Sequence, residues 1–249
     1  MAQSFAGGER IALSQPQVQI DSVFFLWNAQ VSIELAEAGV EIRYTTDGSE
    51  VEESSPLYKK PLEYTESTLL RAKAWHPNFQ SSESITVQIV KLNPLPAETK
   101  LTLSAEPNTN YPAQGAVSLI DGIKGPKSFR AKPAWLGFLE DSLEMTLTLP
   151  EPMQLSGLQL SLLEHHGAWI FLPERIEVLH EGKVLGQWQK AAPTHNKPDD
   201  FVFPKIGWPA QKISSLSIRI SPLQQIPDWH GGAGKKPWLF IDELIIQQD

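Results

Sequence analysis

The chain has 249 residues, of which 41% are hydrophobic and 20% charged. This balance excludes an intrinsically disordered protein, and the absence of an apolar run of about 18 residues excludes a membrane-spanning helix. A net charge of −8 disfavours a phosphate backbone as partner, and zero cysteines exclude a disulfide scaffold, a thiol nucleophile or a thiolate metal site.

Met1–Arg10 (MAQSFAGGER) is small, polar and glycine-containing and reads as a disordered lead-in over residues 1–9. It lacks the basic region and apolar core of a secretory signal. From residue 10 to 92 the pattern is short strands of period two. Val31–Leu35, Val40–Tyr44, Leu69–Trp75 and Ile85–Val90 all alternate apolar with other side chains. Turn signals separate them at Asp47-Gly48-Ser49, Ser54-Ser55-Pro56 and His76-Pro77-Asn78. Six or seven strands in this length predict a small β-sandwich. Tyr44, Tyr58 and Trp75 suit core packing and strand pairing better than a sugar platform.

Residues 42–50 (IRYTTDGSE), Ser54-Ser55-Pro56-Leu57-Tyr58 and Ser67–Ala74 carry a resemblance to the chitobiase/β-hexosaminidase C-terminal domain. Val51 stands where that family commonly has proline. The resemblance implies an immunoglobulin-like or fibronectin-III-like module, a non-catalytic spacer beside other surface domains.

Leu92–Glu98 holds two prolines, which remove backbone donors, and residues 93–98 read as a linker. From residue 99 to 249 alternation resumes. Leu143–Leu149, Leu155–Leu163, Arg175–His180, Val184–Trp188, Ile213–Ile220 and Leu239–Ile246 read as strands, and no segment shows a long helical period. Glu181-Gly182-Lys183 predicts a hairpin turn. The fold class expected for the whole chain is all-β, two tandem β-sandwiches.

The loops of the second half are distinctive. Leu119-Ile120-Asp121-Gly122, Gly167-Ala168-Trp169-Ile170-Phe171-Leu172-Pro173 and residues 228–243 (DWHGGAGKKPWLFIDE) occur in that order. Together they resemble the factor V/VIII type C, or discoidin-like, domain, in the version that follows hexosaminidase-type modules in Bacteroidetes surface proteins. The resemblance implies a jelly roll with binding loops at one end and a structural calcium ion. It implies Asp121 and Glu243 as the calcium carboxylates, helped by turn carbonyls. It also implies a glycan ligand, a secreted, periplasmic or cell-surface location, and further domains in a longer parent chain.

Sugar binding needs a flat aromatic face and a few hydrogen-bonding groups. Trp229, His230, Trp169, His165, His166 and Lys235 offer these on predicted loops. Trp169 and Trp229 read equally as ligand contacts or as loop buttresses, whereas Trp135, Phe171 and Trp238 read as sandwich packing. His165 and His166 are adjacent, so on a strand they point apart and do not share a metal. The carboxylate pairs Glu140-Asp141, Asp199-Asp200 and Asp242-Glu243 lack the cleft that glycoside hydrolysis requires. No nucleophile elbow or phosphate loop is present. The expected function is therefore a non-catalytic carbohydrate-binding region. A spacer or protein-interaction module is the alternative, and a membrane surface ranks below both.

Overall fold

The computed structural model describes residues 11–130 and 134–248. The expected lead-in at 1–9 lies outside the described residues. The chain divides into two compact units at Lys91/Leu92, and both are built of strands.

In the first unit, β1 (Gln17–Gln19), β3 (Ala29–Glu34) and β5 (Leu62–Tyr64) form a three-stranded sheet in the order β1-β3-β5. A four-stranded sheet has the order β2-β7-β6-β4, from β2 (Phe24–Phe25), β4 (Glu41–Thr45), β6 (Thr68–Trp75) and β7 (Ile85–Lys91). The inward positions of β3 and β6 meet between the sheets. Val31, Ile33, Leu70, Ala72 and Ile89 are at most 2% exposed and form one cluster. Alternation is strict in β6 because only one of its faces is buried. The Asp47 turn forms as its chemistry dictates. The Asp47 carboxylate accepts from the Ser49 amide at 3.0 Å, and Gly48 takes φ 79°. Tyr44 and Tyr58 pack against the core cluster.

The second unit holds β8 (Lys100–Leu103), β9 (Ala113–Ala116), β10 (Leu136–Phe138), β11 (Leu143–Glu164), β12 (Arg175–His180), β13 (Lys183–Gln189), β14 (Asp200–Val202), β15 (Lys205–Ser221) and β16 (Leu239–Gln248). One sheet has the path β10-β16-β11-β15-β12-β13, with β8 and β14 also paired to β11. The segments expected as separate strands at 143–149 and 155–163 are halves of β11. Pro150 and Pro152 are tolerated because they fall in a register shift between Thr148 and Met153, where the ladder to β15 lapses. The first half of β11 pairs with β8 and the end of β15, and the second half with β16, β14 and the start of β15. Leu143, Met145, Leu147, Leu158, Leu160, Ile176, Ile218, Ile241 and Ile246 from all these regions share one core. The 181–182 hairpin forms, with Glu181 at φ 49° and Gly182 at φ 76°.

Gly125 is buried against the Trp135 indole, and a methyl group there would fall 2.4 Å from the ring. Gly125→Ala should therefore cost about 1–3 kcal/mol, the usual range for overpacking. Thermal unfolding of the second unit checks this, and an unchanged melt would mean that Trp135 moves freely.

Candidate functional site

Three loops of the second unit are tied together by backbone and side-chain hydrogen bonds. The turn at His166–Ala168 follows β11, and His165 and Ile170 exchange two amide bonds across it. Residues 169–171 then run beside the chain at Trp238. The Trp238 amide donates to Trp169 O at 2.7 Å, and the Phe171 amide to Trp238 O at 3.0 Å. The loop at 226–235 closes on Ile226, whose amide donates to Lys235 O and whose carbonyl accepts from the Gly234 amide. Trp229 Nε1 donates to Pro193 O at 2.6 Å, tying in a third loop.

The six residues predicted to hold a sugar lie on these loops, but in different environments. His166 is 1% exposed and stacks on Phe171 at 4.5 Å and 14°. Its Nδ1 accepts from the Lys197 amide at 3.3 Å, so Nε2 carries the proton and donates to Glu164 Oε1 at 3.1 Å. His230 Nδ1 accepts from the Gly232 amide at 2.9 Å, and its Nε2 donates to His166 O at 3.1 Å. Half-buried Trp229 packs on Phe171, Leu223 and Ile226. His166, Trp229 and His230 therefore direct their ring polar groups inward. His165 is half-buried, with Nδ1 3.2 Å from Asp199 Oδ1 and its ring edge-on to Phe129.

Trp169 differs. It is 40% exposed and sits at φ 65°, a left-handed conformation that is rare for a bulky side chain. Two contacts hold it there. Its amide donates to His166 O at 2.8 Å, and Gly232 packs under the indole, where a methyl group would come within 2.8 Å. Gly167, two residues before it, and Gly231, Ala233, Gly234 and Lys235, flanking Gly232 in sequence, are exposed. Lys235 and Gly232 share one turn through a 3.1 Å backbone bond, so the lysine rises from the segment that supports the ring. Trp135, Phe171 and Trp238 are buried or half-buried in aromatic clusters.

The two predicted metal carboxylates also come together. The Asp121–Ile123 turn is held by Asp121 Oδ1 accepting from the Ile123 amide and by Glu243 Oε2 accepting from the Gly122 amide at 2.9 Å. Gly122 at φ 76° permits the turn. Glu243 is 3% exposed, and burial, followed by the charge of Asp121, pushes its carboxyl up to about 9. Burial also raises the Asp121 carboxyl. Among the described residues no group of three or more His, Asp or Glu is close enough to share a metal ion.

Beside this pair lies a feature not picked out from the sequence. Asp242 is fully buried. Its Oδ2 accepts from Lys124 Nζ at 2.7 Å and from the Gly125 amide at 2.6 Å. The Lys124 ammonium also lies 3.6 Å from the Phe201 ring centroid and 4.4 Å from that of Trp135. Burial pushes the Asp242 carboxyl up and the Lys124 amine down, and their mutual attraction opposes both shifts. The available signal was a charged pair, Asp242-Glu243, inside the apolar run 239–246.

Comparison with known proteins places one part of the chain. Residues 25–86 match the sequence model of the chitobiase/beta-hexosaminidase C-terminal domain. No curated protein matches the chain. Among solved structures, a SusE-like protein is similar at 12% identity, covering 93% of this chain and 96% of its own, with a TM-score of 0.39. The C-terminal domain of a Bacteroides fragilis chitobiase is similar at 13% identity, over 61% of this chain and 95% of its own, with a TM-score of 0.34. A Ruminococcus gnavus fucosidase of glycoside hydrolase family 29, in complex with fucose, is similar at 8% identity with a TM-score of 0.37. That match covers 61% of this chain, which spans a quarter of the fucosidase chain.

Proposed function

We propose that the chain is a non-catalytic carbohydrate-binding region of a larger secreted or cell-surface bacterial protein, with a discoidin-like second unit that holds a glycan on its loops. The observation that carries this reading is Trp169. A tryptophan held at φ 65° costs folding free energy, and 40% of it still stays open to water. Such strain, kept in place by Gly232 and two backbone bonds, suits a rigid stacking face presented to a ligand. Lys235, exposed on the same support, supplies a donor for sugar hydroxyls. His165 flanks the turn, and His166, Trp229 and His230 frame the loops from beneath. The match at residues 25–86 supports an accessory role for the first unit.

Calcium fits the Asp121–Glu243 pair by donor chemistry. Both side chains are hard oxygen ligands brought to one turn, and a divalent cation bound there would displace the proton that burial favours on Glu243. Bound there, the ion would neutralise the two carboxylates. Asp121 and Glu243 would hold it, with turn carbonyls completing the shell.

Trp169→Asn separates the sugar-binding reading from its rival, because asparagine tolerates the left-handed conformation. On a glycan array covering N-acetylhexosamine, galactose and uronic-acid ligands in calcium, the unsubstituted chain should give a specific hit. The variant should lose it by about tenfold or more, the scale of one aromatic stacking contact, with an unchanged or higher melting temperature. A blank array with folded protein would instead support a spacer or protein-interaction module. That second reading rests on the inward-facing hydrogen bonds of His166, Trp229 and His230.

A further inference from the structure

The first unit carries an open groove of about 1070 Å³. Its floor is the outer face of the four-stranded sheet, where Glu41 of β4 pairs with Trp75 of β6. Its wall is the loop after β6, which contributes His76, Phe79 and Gln80, and Glu53 lines it as well.

This wall is tied down at several points. The His76–Phe79 turn closes through the Phe79 amide on His76 O and the Asn78 amide on His76 Nδ1. Buried Ser82 returns the loop to β6. Its amide donates to Ala74 O at 3.0 Å, and its Oγ accepts from the Ala74 amide at 2.9 Å. The segment at Ile11–Leu13 bonds both the amide and the carbonyl of Gln80. On the floor, Arg43 is fixed by Glu41 Oε2 at 3.0 Å and by Ser55 O at 2.8 Å. Pre-ordered walls lower the entropy lost when a ligand binds.

The groove chemistry is that of a sugar site. Trp75 offers an indole, and His76 and Phe79, edge to face at 5.0 Å, offer a second aromatic surface. Arg43, Gln80, Glu41 and Glu53 supply planar donors and acceptors for vicinal hydroxyls. The Lys73 ammonium, 5.5 Å over the Trp75 ring, is a further donor for a hydroxyl stacked there. Glu41 and Glu53 are balanced by Arg43 and by the Lys73 ammonium over Trp75, so the groove carries no net charge to draw in a uronate or sialate.

We infer that this groove is a second saccharide site, separate from the loops of the other unit, and that it takes a neutral oligosaccharide. Its volume is that of a small-molecule site and leaves room for a short oligosaccharide. The inference does not depend on the Trp169 site.

The test uses the full chain carrying Trp169→Asn, which removes the other stacking face. Cellobiose, lactose and N,N′-diacetylchitobiose are titrated in turn at millimolar concentration, and amide and indole NMR shifts are followed. At least one should move the Trp75 indole and Gln80 resonances in a saturable way. Glu53→Ala and Gln80→Ala, both at exposed positions, should each weaken that binding by roughly three- to tenfold, the loss of one hydrogen bond. Two results would overturn the inference: no movement in the groove with any of the three sugars, or movement that neither substitution weakens. Preserved spectra of the two variants show that loss of binding is not loss of fold.

Discussion

Lys124→Met is expected to destabilise the second unit by about 3–5 kcal/mol, the usual cost of removing one partner from a buried ion pair. The Lys124 and Asp242 side chains are 8% and 0% exposed and 2.7 Å apart. Without the ammonium, Asp242 keeps the Gly125 amide on one oxygen, while its other oxygen is buried beside Ser161. The carboxylate must then stay charged in an apolar setting or take up a proton. Methionine preserves most of the contact with Phe201 and Trp135, so loss of packing is a small part of the effect. The melting temperature of the second unit should fall by roughly 10 °C or more. Calorimetry resolves the two units, which need not unfold together. The double variant Lys124→Met/Asp242→Asn should recover most of the loss, because it removes the stranded charge. A single variant within 1 kcal/mol of the parent, on the order of ordinary surface changes, would show that the pair contributes no net stability.

A second large effect concerns pH and calcium at Glu243. Its folded carboxyl is pushed up to about 9 from an ordinary 4.5. The unfolded chain loses this proton near pH 4.5, and the folded chain keeps it until about pH 9. Stability is therefore fully present below the lower value and falls as pH rises through the interval, by up to about 1.4 kcal/mol per pH unit. The groups facing Glu243 are Asp121, Asp242, Lys124 and the Gly122 amide. Asp121 and Asp242 are raised and act with the same sign, whereas Lys124, pushed down, acts with the opposite sign. In EDTA, the melting temperature of the second unit should fall steadily between about pH 5 and pH 9. Glu243→Gln, which imitates the protonated acid, should flatten most of this slope and be the more stable protein at pH 8. Added calcium should restore the parent at pH 8 and leave the variant unmoved. A flat profile for the parent in EDTA, or an equal slope in the variant, would remove Glu243 as the responsive group.

Strand legibility followed burial. Val31–Leu35, Leu69–Trp75 and Leu143–Leu149 were readable because each lies in a strand with one buried face, which forces period two. β10 is buried at all three residues and β16 at its first eight, so neither carries a strong alternating signal. Leu239–Ile246 reads as a strand through its apolar run, whereas no alternation marks Leu136–Phe138. Pro150 and Pro152 lie between the two alternating runs 143–149 and 155–163. The register shift that absorbs them depends on pairing with β15, more than 50 residues away in sequence.

The candidate site shows the same division. Composition, alternation and the turn pairs determined an all-β chain and located the aromatic and histidine-bearing loops, because these features depend on residues a few positions apart. Tertiary structure alone decided that the indole of Trp169 faces water while the ring of His166 is sealed. That choice is made by the His230–His166 bond across 64 residues, the Trp229–Pro193 bond across 36, and the lack of room for a side chain at Gly232. Tertiary structure also decided that Lys124 becomes an internal cation, since its partners Phe201 and Asp242 come from strands far along the chain. A charge is stable there only after distant strands have assembled the aromatic and carboxylate walls around it, and no local pattern of residues encodes that enclosure.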